Sequence, residues 1–165
     1  ASSQCVPRME NLTSGLHFLL SMSIAALLVF ITVLIHYEAM RLTSALLPRL
    51  RIRPRLRILV VIFGIFLAHS ISAWLFAIVY HFLSGHFGLG EFGGDAPKQI
   101  YDFVYFSAVT YTSLGFGDVY PLQYLRLIAG VEALTGLVMI GWSASFTYLM
   151  MERFWSDHGR HKGGK

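Results

Sequence analysis

The chain has 165 residues, of which 55% are apolar and 13% are charged, and its formal net charge is +4. Soluble domains carry about 25% charged residues. The composition therefore excludes an ordinary soluble enzyme and a disordered regulator, and it indicates a membrane protein. The basic residues flank apolar segments, which favours a membrane surface over nucleic acid as their partner. The single cysteine, Cys5, excludes an intrachain disulfide and a metal site with several cysteine ligands.

Three apolar segments predict helices that cross a membrane, namely residues 16–37, 58–83 and 122–155. A helix needs about 20 residues to cross the hydrocarbon layer, and each segment is long enough. The first segment is too long for the apolar part of a signal peptide. We therefore expect a retained additional helix, which packs outside the second helix and stabilises the assembly.

Basic residues concentrate between the first two apolar segments, where the chain has Arg41, Arg49, Arg51, Arg53, Arg55 and Arg57. A second basic group follows the third apolar segment and comprises Arg153, Arg160, Lys162 and Lys165. Because cytoplasmic loops carry the excess of Lys and Arg, both groups are expected in the cytoplasm and the N-terminus outside. The linker arginines recur at every second position and Pro54 interrupts them, which is unlike a voltage-sensor helix. We expect them to contact anionic lipid.

The segment between the second and third apolar segments starts with a glycine-rich loop at residues 84–94. Asp95 and Pro97 then predict the start of a helix, and the apolar positions in residues 98–112 predict one helical face. At about 15 residues this helix is too short to cross a membrane, so we expect it to enter the membrane and return.

Gly115 and Gly117 follow this helix and are expected to end it, because glycine adopts backbone angles that other residues avoid. Non-helical backbone at membrane depth is tolerated only inside protein or beside a water-filled path. The segment is therefore a candidate pore lining. It comprises Thr112, Ser113, Leu114, Gly115, Phe116, Gly117 and Asp118.

At these residues the chain resembles the potassium channel pore family. The filter of that family reads T-V-G-Y-G followed by Asp, and here SLGFGD follows Thr112. The segment is most similar to bacterial channels with one pore loop per chain and to the phenylalanine-containing filters of two-pore-domain potassium channels. The resemblance covers residues 58–155. It implies an all-α membrane protein with three transmembrane helices, a re-entrant pore helix and a selectivity filter, in the potassium-channel pore fold and assembled as a C4 homotetramer.

The resemblance implies a potassium-selective channel, not an enzyme, in the bacterial inner membrane. The backbone carbonyls of Ser113, Leu114, Gly115 and Phe116 would replace the water around K⁺, with the Ser113 hydroxyl at the inner end. K⁺ is then the permeant ion, and we expect no organic cofactor and no nucleic acid. The chain divides into an external N-terminal segment, an additional helix, a basic cytoplasmic linker, a pore domain and a cytoplasmic tail, at residues 1–15, 16–37, 38–57, 58–155 and 156–165.

The segment departs from the family pattern at several positions. Ser113 replaces the filter threonine and Phe116 the filter tyrosine, while Tyr105 and Phe106 occupy the aromatic positions of the pore helix. Some family members pair a pore-helix glutamate with the filter aspartate, and the matching residue here is Val109. These differences predict a less rigid filter that inactivates or gates readily.

Glu132 lies about two turns into the third apolar segment, where an unpaired carboxylate costs several kcal/mol. We expect a hydrogen-bonded support for the filter, with candidate partners His69, Ser70, Thr110 and Thr112. The alternative is a pH sensor in which Glu132 or His69 titrates.

Gly136 and Gly141 lie further along the third segment. The resemblance implies an inner-helix hinge at one of them, most simply Gly136. The alternative is close helix packing, since small residues are common where membrane helices meet.

The sequence is also compatible with other functions. Ser113 and Phe116 are compatible with a weakly selective cation channel, and a degenerate pore would make the chain an accessory subunit. The run Gly141-Trp142-Ser143-Ala144 loosely resembles the serine motif of rhomboid intramembrane proteases, for which His69 would be the base. A three-helix chain leaves little room for the water-filled cavity that this chemistry needs.

Overall fold

The computed structural model describes residues 6–49, 54–86 and 89–160, with side chains over residues 13–49, 56–84 and 89–152. The helices are α1 (Val6–Leu46), α2 (Pro54–His86), α3 (Ile100–Tyr111) and α4 (Leu125–Arg160), and a 3₁₀ turn (Leu47–Arg49) follows α1. Two short strands, β1 (Phe92–Gly94) and β2 (Val119–Pro121), lie on either side of α3 in the chain. The predictions on the linker at residues 50–53 and on the tail at residues 161–165 lie outside the described residues.

Three of the helices are long and apolar enough to cross a membrane, over Thr13–Arg49, Leu56–Ser84 and Leu125–Glu152. This finding confirms the three predicted spans by length and composition. The helices themselves extend further than the predicted apolar segments: α1 continues to Leu46 and α4 to Arg160. Hydropathy shows where a helix stops being apolar, whereas the backbone hydrogen bonds continue into the polar residues.

The additional helix α1 packs against both α2 and α4. Its buried residues recur every three or four positions and form one stripe: Ser21, Ala25, Leu28, Thr32, His36, Met40 and Thr43. At one end of the contact the His17 ring meets the Tyr124 ring at 5.7 Å, and beyond the other end Leu47 packs with Val61 and Met150. Helix α1 therefore covers the groove between α2 and α4, in contact with α4 as well as with α2, on which it is expected to pack.

Helix α3 lies between α2 and α4 and is held there by its aromatic face. Phe103 and Phe106 are buried, and the Phe106 ring meets the edge of Tyr80 at 5.2 Å and of Phe92 at 5.0 Å. The C-terminal end of α3 is thereby aimed at the segment that follows it.

The start of α3 differs from the prediction. The helix begins at Ile100 with Gln99 as its N-cap. The carboxylate of Asp102 accepts the backbone N–H groups of Lys98 and Gln99, each at 2.9 Å, and this lowers the pKa of Asp102. The predicted cap, Asp95, instead donates its backbone N–H to the carbonyl of Asp118. Because the Asp102 carboxylate satisfies the N–H groups that precede the first turn, the helix starts later than Asp95 and Pro97 indicated.

Strands β1 and β2 form an antiparallel pair in which Phe92, Gly93 and Gly94 lie opposite Pro121, Tyr120 and Val119. A Cβ atom at Gly94 would lie 2.0 Å from the carbonyl oxygen of Asp118, so only glycine allows this approach. The pair joins the chain before α3 to the chain after residues 112–118. It therefore holds the outer end of the candidate pore lining, where Asp118 precedes β2.

Candidate functional site

The candidate filter segment, residues 112–118, begins at Thr112, the C-cap of α3, and runs to the residue before β2. Its φ angles are positive at every second residue: 58° at Ser113, 57° at Gly115 and 81° at Gly117. Leu114 and Phe116, between them, have negative φ. Alternating left-handed and right-handed residues turn successive N–H groups to one side of the chain. Because the peptide unit is planar and trans, its carbonyls then turn together to the other side.

The candidate filter segment is exposed along its whole length in the single chain. The side chain of Leu114 is 59% exposed and that of Phe116 is 65% exposed. A Cβ atom at Gly115 or Gly117 would meet nothing within 4 Å. More than half of each of these two apolar side chains is therefore left uncovered by the described part of the chain.

Tyr105 connects α3 to the end of the segment. Its hydroxyl donates to Oδ2 of Asp118 at 2.7 Å, and this bond holds the pKa of Asp118 below its usual value. The same bond raises the pKa of Tyr105. Val109 carries no carboxylate, so the glutamate–aspartate pair is absent as the interpretation had it, but a residue one helical turn earlier supplies a hydrogen bond to Asp118. Tyr105 was identified only as an aromatic position, and its hydroxyl was the signal that the interpretation did not use.

The other predicted supports act through different contacts. Phe106 packs into the core against Tyr80 and Phe92. The carbonyl of Val109 accepts the backbone N–H groups of Leu114 at 3.0 Å and Gly115 at 3.4 Å. Val109 therefore holds the candidate filter segment through its backbone, and this contact does not depend on a carboxylate side chain.

The inner end of the segment is tied to both neighbouring helices. The Thr112 hydroxyl donates to the carbonyl of Ala108 at 2.8 Å, and the Ser113 hydroxyl donates to the carbonyl of Ala133 on α4 at 3.4 Å. The hydroxyl that Ser113 keeps from the family threonine thus has a partner within the chain.

Glu132 is fully buried and joins three helices. Its carboxylate accepts the hydroxyl of Tyr80 on α2 at 2.6 Å and that of Ser107 on α3 at 2.5 Å. A buried carboxylate in a membrane helix requires such partners. Glu132 is thus a hydrogen-bonded support beside α3.

None of the four predicted partners of Glu132 bonds to it. Ser70 donates to the carbonyl of Phe66 and Thr112 to that of Ala108, while His69 contacts His36 and Tyr111. Tyr80 was missed because its distance from Glu132 depends on how α2 crosses α4. No spacing along the chain encodes that crossing.

His69 lies at the junction of α1, α2 and α3. Its Nδ1 atom is 3.1 Å from Nε2 of His36 and 3.1 Å from the hydroxyl of Tyr111. His36 is 1% exposed and Tyr111 is 2% exposed. His36 was not identified from the sequence, although it is the one histidine in the buried stripe of α1 and lies one helical turn after Thr32.

The two candidate hinge glycines have different surroundings. A Cβ atom at Gly136 would lie 1.8 Å from the carbonyl oxygen of Tyr111, whereas one at Gly141 would meet nothing within 4 Å. Gly136 therefore permits close packing of α4 on the end of α3. Among the described residues, Gly141 has no such contact.

The residues of the protease interpretation are not brought together. Ser143 is buried, and among the described residues its hydroxyl has no hydrogen-bond partner. His69 is bonded to His36 and Tyr111. A serine nucleophile needs a base within hydrogen-bond reach, and His69 does not serve Ser143 in this arrangement.

Comparison with known proteins supports the geometric evidence. A family model described as "Ion channel" matches residues 56–153, which is well over half of the chain. The match includes α3, the candidate filter segment and most of α2 and α4. No curated protein and no solved structure matches the chain.

Proposed function

We propose that this chain, which belongs to the ion channel family, is a potassium-selective channel that conducts K⁺ passively. The backbone carbonyls of Ser113, Leu114, Gly115 and Phe116 would bind the permeant ion. The observation that carries this proposal is the alternation of φ along residues 113–117. A row of carbonyls on one side of the chain supplies the oxygen ligands that replace the hydration shell of K⁺.

One chain supplies only one wall of such a pore, so we infer a C4 homotetramer. The exposure of Leu114 and Phe116 supports this inference. Further support comes from the large apolar residues that α4 leaves exposed: Leu134, Leu137, Val138 and Ile140. In a tetramer these side chains would face neighbouring subunits or the inner cavity.

Helix α3 would be the re-entrant pore helix. It has 12 residues, whereas crossing the hydrocarbon layer takes about 20. Its last turn contains no basic residue, so the partial negative charge at its C-terminal end is not offset there. Such an end favours a cation nearby, and it immediately precedes Thr112 and Ser113.

The basic residues set the proposed orientation, with the N-terminus outside and the linker and tail in the cytoplasm of a bacterial cell. Arg41 donates two hydrogen bonds to Glu38, at 2.9 and 2.7 Å. Glu38 is the only acidic residue between residues 38 and 57. The remaining five arginines of the linker keep an excess of positive charge, which would attract anionic lipid.

The test is the reversal potential of the purified protein in a planar bilayer, with K⁺ on one side and Na⁺ on the other. Each tenfold preference for K⁺ moves this potential by about 59 mV toward the value for K⁺. We expect a shift of that size or more, together with a particle of four chains by mass. The Gly115→Ala variant is the matched control. Alanine at this position would have to adopt φ 57°, a backbone angle that residues with a Cβ atom avoid. We expect this variant to lose the preference.

Two other outcomes would overturn the proposal of a potassium-selective channel. Current that reverses near 0 mV would replace the proposal with a weakly selective cation channel, the alternative that Ser113 and Phe116 left open. Absence of both current and tetramer would contradict it and favour an accessory subunit.

A further inference from the structure

A chain of hydrogen-bonding groups connects the additional helix α1 to the end of α3. Nδ1 of His36 lies 3.0 Å from the carbonyl of Thr32, and Nε2 of His36 lies 3.1 Å from Nδ1 of His69. The same Nδ1 atom of His69 lies 3.1 Å from the hydroxyl of Tyr111. Groups from α1 and α3 therefore both contact the same nitrogen atom of His69 on α2.

Counting protons assigns the donors in this chain. A carbonyl has no proton, so Nδ1 of His36 must donate to Thr32. In a neutral His36 ring Nε2 is then an acceptor. The proton between the two rings must therefore be carried by Nδ1 of His69. That atom cannot also accept the hydroxyl proton of Tyr111.

The consequence is that His36 determines whether the Tyr111 hydroxyl can donate to His69, without contacting Tyr111 itself. With His36 as acceptor, His69 carries its proton on Nδ1, and that atom cannot accept from Tyr111. Without His36, Nδ1 of His69 is free to accept from Tyr111, and the His69 proton moves to Nε2.

Tyr111 is placed so that its position bears on the candidate filter segment. It is the last residue of α3 and directly precedes Thr112 and Ser113. Its carbonyl oxygen lies against Gly136, where a Cβ atom would be 1.8 Å away. Tyr111 is thus held between α2 and α4, and a change of partner for its hydroxyl acts on the residues that follow it.

We propose that His36 of the additional helix is a positioning residue for the filter, acting through His69 on Tyr111. The proposal rests on the proposed function, because residues 112–118 must be the filter. It gives α1, which has no pore motif of its own, a part in holding the ion path.

The first experiment measures the ring protonation of ¹⁵N-histidine-labelled protein in bilayers by solid-state NMR. We expect His69 to be protonated on Nδ1 in the wild type and on Nε2 in His36→Leu. The His36→Gln variant is the conservative rescue, because its amide oxygen can accept from Nδ1 of His69 and should restore the wild-type form. His17→Leu removes a histidine of α1 that contacts only Tyr124 among the described ring contacts, and it should leave His69 unchanged.

Two results would contradict the proposed action of His36 on His69. One is a wild-type His69 that is protonated on Nε2, which needs no variant to be seen. The other is a His69 that keeps its Nδ1 proton in His36→Leu. Neither readout requires the protein to conduct ions, so failure of this inference is separable from failure of the proposed function.

The second experiment is a double-mutant cycle on single-channel open times. Positions that modulate coupling within a protein change such quantities by roughly 2- to 30-fold. We expect changes of that size for His36→Leu and for Tyr111→Phe, with the double variant no different from the larger single change. The pair His17→Leu and Tyr111→Phe is the control, and its effects should multiply. Multiplying effects for His36 and Tyr111 would contradict the proposal.

Discussion

Substitution of Gly136 by alanine tests how α4 packs on α3. The new Cβ atom would lie 1.8 Å from the carbonyl oxygen of Tyr111 and 2.7 Å from its carbon. The two helices would have to separate by about 1 Å or more to reach van der Waals contact. The obstructing atoms belong to the backbone of a helix and cannot rotate away. We therefore expect destabilisation at the upper end of the usual range for overpacking, about 3 kcal/mol.

The assay is the temperature at which the detergent-solubilised protein loses its assembled peak on size-exclusion chromatography. A loss of about 3 kcal/mol lowers the midpoint by roughly 6–12 °C for a chain of this size. Gly130→Ala and Gly141→Ala are matched controls on the same helix, since a Cβ atom at either position meets nothing within 4 Å. Alanine should stabilise a helix there by about 0.5–1 kcal/mol.

A Gly136→Ala midpoint equal to that of the two controls would refute the packing argument. The same variants separate packing from hinge motion. If Gly141 is a hinge, Gly141→Ala should shorten channel opening while its melting temperature stays at or above that of the wild type.

Two further predictions concern the polar contacts beside α3. Glu132→Ala leaves the buried Tyr80 hydroxyl without its acceptor and opens a cavity, so we expect a loss of about 3 kcal/mol in the same thermal assay. Glu132→Gln keeps two polar atoms in place and should cost about 1 kcal/mol; equal midpoints for the two variants would contradict this. Tyr105→Phe removes the bond that lowers the pKa of Asp118, so that pKa should rise toward 3.8. The bond stabilises the fold above the ordinary pKa and loses its effect as the pH falls through the lowered one. Carboxyl chemical shifts in a pH titration measure the change, and an unchanged pKa would show that the bond is absent in solution.

The three spanning helices and the candidate filter segment were predictable because each leaves a pattern in consecutive residues. An apolar run longer than the hydrocarbon layer predicts a spanning helix regardless of its neighbours. Gly115 and Gly117 likewise mark a backbone that other residues avoid, and both have positive φ in the structure. These patterns can be recognised in the sequence without knowledge of the tertiary contacts.

The polar contacts were not predictable in the same way. Glu132 was expected to have a partner, but the choice of Tyr80 and Ser107 depends on the crossing of α2, α3 and α4. The pair of three-residue strands is too short to show an alternating pattern. One pattern in the sequence does indicate a polar contact. The first span has polar residues at helical spacing, including Thr32 and His36, and these mark the face that is buried.

Helix α3 has two polar faces, and they act on different ends of the candidate filter segment. Ser107 and Tyr111 are one turn apart and lie on one side. Glu132 of α4 bonds to Ser107, and His69 of α2 contacts Tyr111. Tyr105 lies on another side and reaches Asp118, after the glycines. The inner end of the segment is therefore supported from within the helix bundle, and the outer end by an exposed hydrogen bond. Because the inner support extends through His69 to His36 of α1, a movement of the additional helix would act on Thr112 and the residues next to it.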